Sequence, residues 1–145
     1  MRRRYFAYGL NLDAASMAAR CPGARLIGPA ELGGYRFAIN RLGLATVVPR
    51  SRCRVLGVVW SLTQRDEDNL DTFEGVPDRL YVKERVRLRL EEKTTSALIY
   101  RALESRPGAP RPGYLEQILT AARALGLSDD YIAELDAFRT RAGKA

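Results

Sequence analysis

The spacing of apolar residues changes several times along this chain, and each change predicts a new element. Arg4 to Tyr8 is a β-prone, aromatic run that stops at Gly9, which predicts a first strand. Asp13 to Arg20 is alanine-rich and ends in Cys21-Pro22-Gly23, the signature of a short helix stopped by Pro and Gly. Leu26–Pro29 and Tyr35–Ile39 are strand-like pieces split by Gly33-Gly34. Ala45–Val48 predicts a short strand, and Arg54–Ser61, with Val55, Val58, Val59 and Trp60 around Gly57, a longer buried one. Thr63 then reads as an N-cap, with Asp66 and Glu67 in the first turn where the helix dipole favours anions. That helix should run to about Phe73, with Leu70 and Phe73 on one face and Gly75 beyond its end.

From Tyr81 to Leu90 the period becomes two. Val82, Val86, Leu88 and Leu90 face one way, and Lys83, Arg85, Arg87 and Arg89 the other. Glu84 falls on the apolar side. Ser96–Tyr100 predicts another strand, and Ser105–Gly113, rich in Pro and Gly, a loop rather than a domain boundary. Leu115, Ile118, Leu119, Ala122 and Leu125 follow helical spacing up to Gly126. Ser128-Asp129-Asp130 caps a last helix with the stripe Tyr131, Ile132, Leu135 and Phe138. There is no internal repeat. Short strands with a few helices predict a single α+β domain over residues 1–145, built on a strongly curved sheet or small barrel.

Composition agrees. The chain has 145 residues, 46% of them hydrophobic, enough for a real core and too many for a disordered chain. Its most apolar uncharged stretch, Val55–Leu62, falls far short of the roughly 20 residues of a membrane span. Met1-Arg2-Arg3-Arg4 is basic, but Tyr5–Gly9 and then Asp13 leave no room for a signal-peptide core, so a soluble cytoplasmic protein is expected.

The sequence contains no histidine, which excludes a Ser-His-Asp triad, a Cys-His dyad and His-ligated zinc. Cys21 and Cys53 are too few for a four-ligand metal site and read as structural, unpaired residues. Any proton transfer must therefore use Glu, Asp, Tyr, Lys or Cys. A net charge of +7 and pI near 9.8 raise the alternative of a nucleic-acid-associated protein. Lysine stands only at Lys83, Lys93 and Lys144, and arginine supplies the other 21 cations. They are scattered, alternating at Arg85, Arg87 and Arg89, and no nucleic-acid motif accompanies them, so a solvated basic surface is the simpler reading.

Two places could carry chemistry. Tyr8-Gly9-Leu10-Asn11 joins the first strand to the first helix, where backbone N–H groups at a helix start suit a carboxylate or an oxyanion. An ordinary strand-helix turn with Asn11 as N-cap is the plainer reading of those four residues. Glu74 lies at a helix end among Phe73, Gly75, Val76 and Pro77. A partly desolvated carboxylate near a helix C-terminus should have a raised pKa, suited to acid/base work near neutrality. An exposed glutamate is the alternative there. Asp71, three residues earlier, could face the same way, and Glu84 is a rival base.

These motifs fit together. Tyr5-Phe6-Ala7-Tyr8-Gly9-Leu10-Asn11-Leu12 followed by Arg20-Cys21-Pro22-Gly23-Ala24 resembles the N-terminal signature of the gamma-glutamylcyclotransferase family. Gly57-Val58-Val59-Trp60, Leu70-Asp71 and Phe73-Glu74-Gly75-Val76 resemble its central signature, with Tyr81 at the matching downstream position. Pro112, Tyr114, Gly126-Leu127 and Tyr131 are similar to its C-terminal segment. The resemblance implies a small barrel-like mixed sheet flanked by helices. It also implies cleavage of gamma-glutamyl amino compounds into 5-oxoproline and a free amine, with no metal or cofactor. By position, Glu74 matches the catalytic glutamate, and Tyr8, Gly9, Leu10 and Asn11 the substrate loop. Tyr81 and, more weakly, Tyr114 match pocket tyrosines. The family's loop usually carries serine where this chain has Leu10, which opens the alternative of a non-catalytic binding module of the same fold. The loop does not resemble the glutathione-specific or gamma-glutamylamine branches, so the resemblance favours gamma-glutamyl amino acids. A small-molecule substrate is the expected partner, with a homodimer possible and no membrane.

Overall fold

In the computed structural model, which describes residues 2–141, five strands close into a barrel in the order β1-β3-β2-β4-β5. β1 is Arg3–Ala7, β2 Arg25–Ile39, β3 Ala45–Leu62, β4 Tyr81–Leu90 and β5 Lys93–Ala102. Four of the pairings are antiparallel, and a short parallel contact, Tyr5 opposite Leu98, joins β1 to β5 and closes the barrel. Around it lie α1 Ala14–Arg20, α2 Gln64–Phe73, α3 Tyr114–Ala124 and α4 Asp129–Arg141. The expected α+β barrel flanked by helices is the architecture found. None of the described helices is long and apolar enough to cross a membrane.

The strand pieces expected on either side of Gly33-Gly34 are one strand, and so are Ala45–Val48 and Arg54–Ser61. The glycine pair does not end β2. Gly34, at φ +81°, absorbs a bulge where the register shifts between Gly33 and Tyr35, while β3 advances from Pro49 to Arg54. Gly57 is needed for a different reason. A Cβ there would lie 2.1 Å from the Ala7 carbonyl oxygen and 3.0 Å from the Phe6 ring, where β1 pairs with β3.

The core includes Phe6, Leu12, Met17, Leu32, Val47, Val55, Val59, Leu62, Leu70 and Ile99, joined by Leu115, Ile118 and Leu135 from the closing helices. Phe73 departs from the expected pattern. It is 44% exposed, and its ring carries the Arg20 guanidinium 3.6 Å above its centroid. Glu84 is on the apolar parity of β4 but only half-buried, because Arg101 on the neighbouring strand pairs with it, Nε to Oε1 2.7 Å.

Candidate active site

The first strand delivers its aromatic run into a single 3₁₀ turn, Leu10–Leu12, before α1 begins. Asp13, not Asn11, caps α1, accepting from the Ser16 amide and hydroxyl. Asn11 is thereby free for another task. Its side chain is buried; Nδ2 donates to Tyr5 Oη at 2.9 Å and approaches Glu74 Oε1 at 3.5 Å, and Oδ1 accepts from Arg20 at 2.6 Å. The Trp60 indole donates to the Asn11 carbonyl at 3.0 Å, pinning the turn to the barrel wall. The amides of Leu10 and Asn11 open the turn, where no intrahelical acceptor exists.

Glu74 comes from the other side. Thr63 and Asp66 form a reciprocal capping box that fixes the start of α2, and Asp66 also accepts from the Gly23 amide. With its start fixed, ten residues bring the helix to its C-cap at Glu74. Gly75, at φ +66°, then takes the left-handed turn that lets the chain leave. Glu74 thus projects toward the Tyr8–Asn11 turn.

Between these segments lies a cavity of about 320 Å³. Five tyrosines, Tyr5, Tyr8, Tyr81, Tyr100 and Tyr114, line it together with Gly9, Leu10, Asn11 and Glu74. All the site residues expected from the sequence are therefore brought together: Tyr8, Gly9, Leu10, Asn11, Glu74 and Tyr81. The two rival carboxylates are not. Asp71 sits behind the wall, accepting from Tyr100 Oη at 2.7 Å and from Lys83 at 3.0 Å. Glu84 is held by Arg101. Among the described residues, Glu74 is the one acid lining the cavity and Arg111 the one cation.

The tyrosines are fixed by the backbone as much as by each other. Tyr8 Oη donates to the Tyr100 carbonyl and Tyr81 Oη to the Ala45 carbonyl, each at 2.5 Å, while the Ala45 amide donates to Tyr114 Oη at 2.9 Å. One residue at the start of β3 thus organises two of the five rings. Burial, reinforced by the neighbouring tyrosines and Glu74, pushes the Tyr8 and Tyr81 hydroxyls well above their ordinary range; burial also pushes Tyr114 up to about 12, against the opposing hydrogen bond from the Ala45 amide. They stay neutral. Burial also pushes the Glu74 carboxyl up to about 7, against the opposing pull of the Arg20 charge.

Tyr5, Tyr100, Arg111 and Ala45 were not foreseen from the sequence. The two tyrosines lie in strands where an aromatic residue reads as core, and Ala45 contributes only backbone groups. Among the described residues no three His, Cys, Asp or Glu side chains converge as metal ligands. Cys21 and Cys53 are free thiols, and burial pushes Cys21 up to about 12, which leaves it unreactive.

Comparison with known proteins bears on this arrangement. The AIG2-like family matches residues 54–135, which contain Glu74 and Tyr81. A human protein named gamma-glutamylcyclotransferase is 28% identical over 144 residues, covering 92% of this chain and 77% of its own. A solved structure named gamma-glutamyl cyclotransferase superposes with a TM-score of 0.87 at 25% identity over the whole of both chains. The crystal structure of an uncharacterized human protein superposes with a TM-score of 0.86 at 28% identity, over 94% of this chain and 87% of that one.

Proposed function

The chain belongs to the AIG2-like family, and from that premise we propose that it is a gamma-glutamylcyclotransferase acting on gamma-glutamyl amino acids, with Glu74 as its acid/base. The observation that carries this reading is a carboxylate, the one acid among the described residues lining a tyrosine-lined cavity, facing the Tyr8–Asn11 turn, where burial pushes it up to about 7. The names of the relatives supply the reaction class.

The chemistry asks little of the protein beyond this. The substrate's own α-amino nitrogen attacks its γ-carbonyl carbon, the C–N bond to the departing amine breaks, and a five-membered lactam closes. The α-ammonium must lose protons and the leaving nitrogen must gain them. A carboxylate with a pKa near working pH can relay both, which explains how a chain without histidine performs the step. Holding the gamma-glutamyl group folded, with nucleophile and carbonyl in contact, is worth roughly 7–11 kcal/mol in favourable intramolecular cases. In this reading the Leu10 and Asn11 amides, which lack an intrahelical acceptor, meet the substrate carboxylate or the developing oxyanion, and the cation of Arg111 attracts an anionic group. Because those amides belong to the backbone, Leu10 in place of serine does not remove them.

The test is incubation of the purified protein, without added metal, with a panel of gamma-glutamyl amino acids, gamma-glutamylamines and glutathione, following release of 5-oxoproline. Turnover of at least one gamma-glutamyl amino acid, insensitive to chelators, is expected. Tight binding with no turnover across the panel would instead establish the non-catalytic binding module.

A further inference from the structure

A second groove, sharing no lining residue with the tyrosine cavity, lies where α4 packs over the bulged part of the β2–β3 ribbon. It has a volume of about 560 Å³, and four arginines line it: Arg36, Arg50, Arg52 and Arg54. Their convergence follows from the register. Arg36 pairs with Val48, which puts Arg50 diagonally across on the same face. The ladder then breaks between Pro49 and Arg54, so residues 50–53 have no β2 partner, and Arg52 adopts φ +65° within that stretch.

The charges are not balanced locally. Arg54 has a carboxylate partner, Glu134 of α4, at 3.6 Å, with the Arg54 side chain 38% and the Glu134 side chain 61% exposed, a weak pair. Among the described residues, Arg36, Arg50 and Arg52 form no ion pair. Three uncompensated guanidinium groups around one concavity repel each other, and an anion seated among them relieves that repulsion. Guanidinium forks match phosphate and carboxylate oxygens in pairs. One phosphate accommodates about two such forks, so three forks in a groove of this size call for more than one linked anionic group. We propose that this groove binds a compound carrying two or more linked phosphate groups, either free or on an organic carrier.

The proposal is independent of the cyclotransferase reading. Pyrophosphate is the probe, with ADP and inorganic phosphate as parallel arms, measured by calorimetry and thermal shift on the full chain at low salt. Pyrophosphate or ADP is expected to bind and raise Tm, inorganic phosphate at least tenfold more weakly, and added salt to weaken all three. Tighter binding of pyrophosphate identifies the free anion, and tighter binding of ADP a carrier-borne one. Arg50→Ala and Arg52→Gly, the latter suiting the left-handed backbone, should each weaken binding about tenfold with 5-oxoproline release unchanged. The double variant Arg85→Ala/Arg87→Ala removes two exposed charges from β4, outside the groove, and should bind like wild type. Glu74→Gln should also still bind, which separates this site from catalysis. Equal weakening in the β4 variant, no binding at millimolar probe, or binding of a single-stranded 20-mer without binding of either diphosphate would overturn the proposal.

Discussion

Replacing Glu74 by Gln preserves the size of the side chain and an oxygen for Asn11 while removing its proton chemistry. Two consequences can be worked from the structure. General acid–base catalysis typically supplies 10²- to 10⁴-fold, so kcat should fall by that factor, about 3–5 kcal/mol of barrier, while substrate still binds. The second consequence concerns stability. Burial raises the carboxyl from 4.5 to about 7 in the folded protein. The folded state therefore holds this proton more tightly than the unfolded chain does. Its relative stability is full below about pH 4.5 and declines as pH rises through 7. The shift of about 2.5 units corresponds to an upper bound of roughly 3 kcal/mol. Glu74 is only half-buried, so solvent screening discounts this to about 1–2 kcal/mol of loss above pH 8.

Glu74→Gln removes that decline. Its melting temperature should match wild type near pH 4 and exceed it by roughly 3–8 °C near pH 8. Calorimetric melts at the two pH values, run beside kcat on a gamma-glutamyl amino acid, measure both effects on the same samples. Identical pH dependence of Tm in the two proteins would refute the buried-carboxyl account. Near-normal kcat in Glu74→Gln, with collapse in Glu84→Gln, would move the base to β4.

Leu10→Ser should fold normally and change KM or substrate preference more than kcat, since the backbone donors remain; loss of all activity would show that leucine packing shapes the pocket. Gly9→Ala places a methyl group in van der Waals contact with the wall, 3.5 Å from Ala45 Cβ and 4.0 Å from Tyr114 Oη, where it takes up space that the substrate would occupy. Substrate KM should rise at least tenfold, read by steady-state kinetics. Arg20→Met removes the cation that restrains the Glu74 carboxyl, so the base-dependent limb of the rate profile should move to higher pH, with activity lost at pH 7 and recovered toward pH 9. Lys83→Met leaves buried Glu67 with Arg3 alone at 3.3 Å; denaturant unfolding should show a loss of about 2 kcal/mol, below the 3–5 typical of a fully stranded buried charge, with kcat little changed.

What the sequence reveals of this site follows the range of the interactions that build it. The phase of α2 is set locally, by Thr63, Asp66 and the glycine after the helix, so the placement of Glu74 at a helix end can be read from a dozen residues. The Tyr8–Asn11 turn is likewise a local strand-to-helix junction. Tyr100 is different. Its place in the cavity wall depends on β5 lying beside β1, a pairing of residues more than ninety positions apart. Nothing in the alternation around Ser96–Tyr100 distinguishes a ring that faces a ligand from one that faces the core. The same limit applies to Asn11, whose short polar side chain before a helix reads as a cap until Asp13 is seen to occupy that role. The arginine groove was hidden for a related reason. Arg50, Arg52 and Arg54 alternate as visibly as Arg85, Arg87 and Arg89, but only the bulge in the β2–β3 ladder and the packing of α4 turn one set into a concavity.

The raised pKa of Glu74 arises from two opposing effects assembled by those distant contacts. Closure of the barrel and the surrounding rings remove water, which alone would lift the carboxyl; Arg20, reaching in from the end of α1, draws it back. Arg20 reaches there because its guanidinium stacks on Phe73, the residue immediately before Glu74, and bonds to Asn11 in the facing turn. One cation thus ties the helix end to the loop and restrains the acid between them. The exposed Phe73, anomalous as a core residue, is accounted for as the platform that holds this cation.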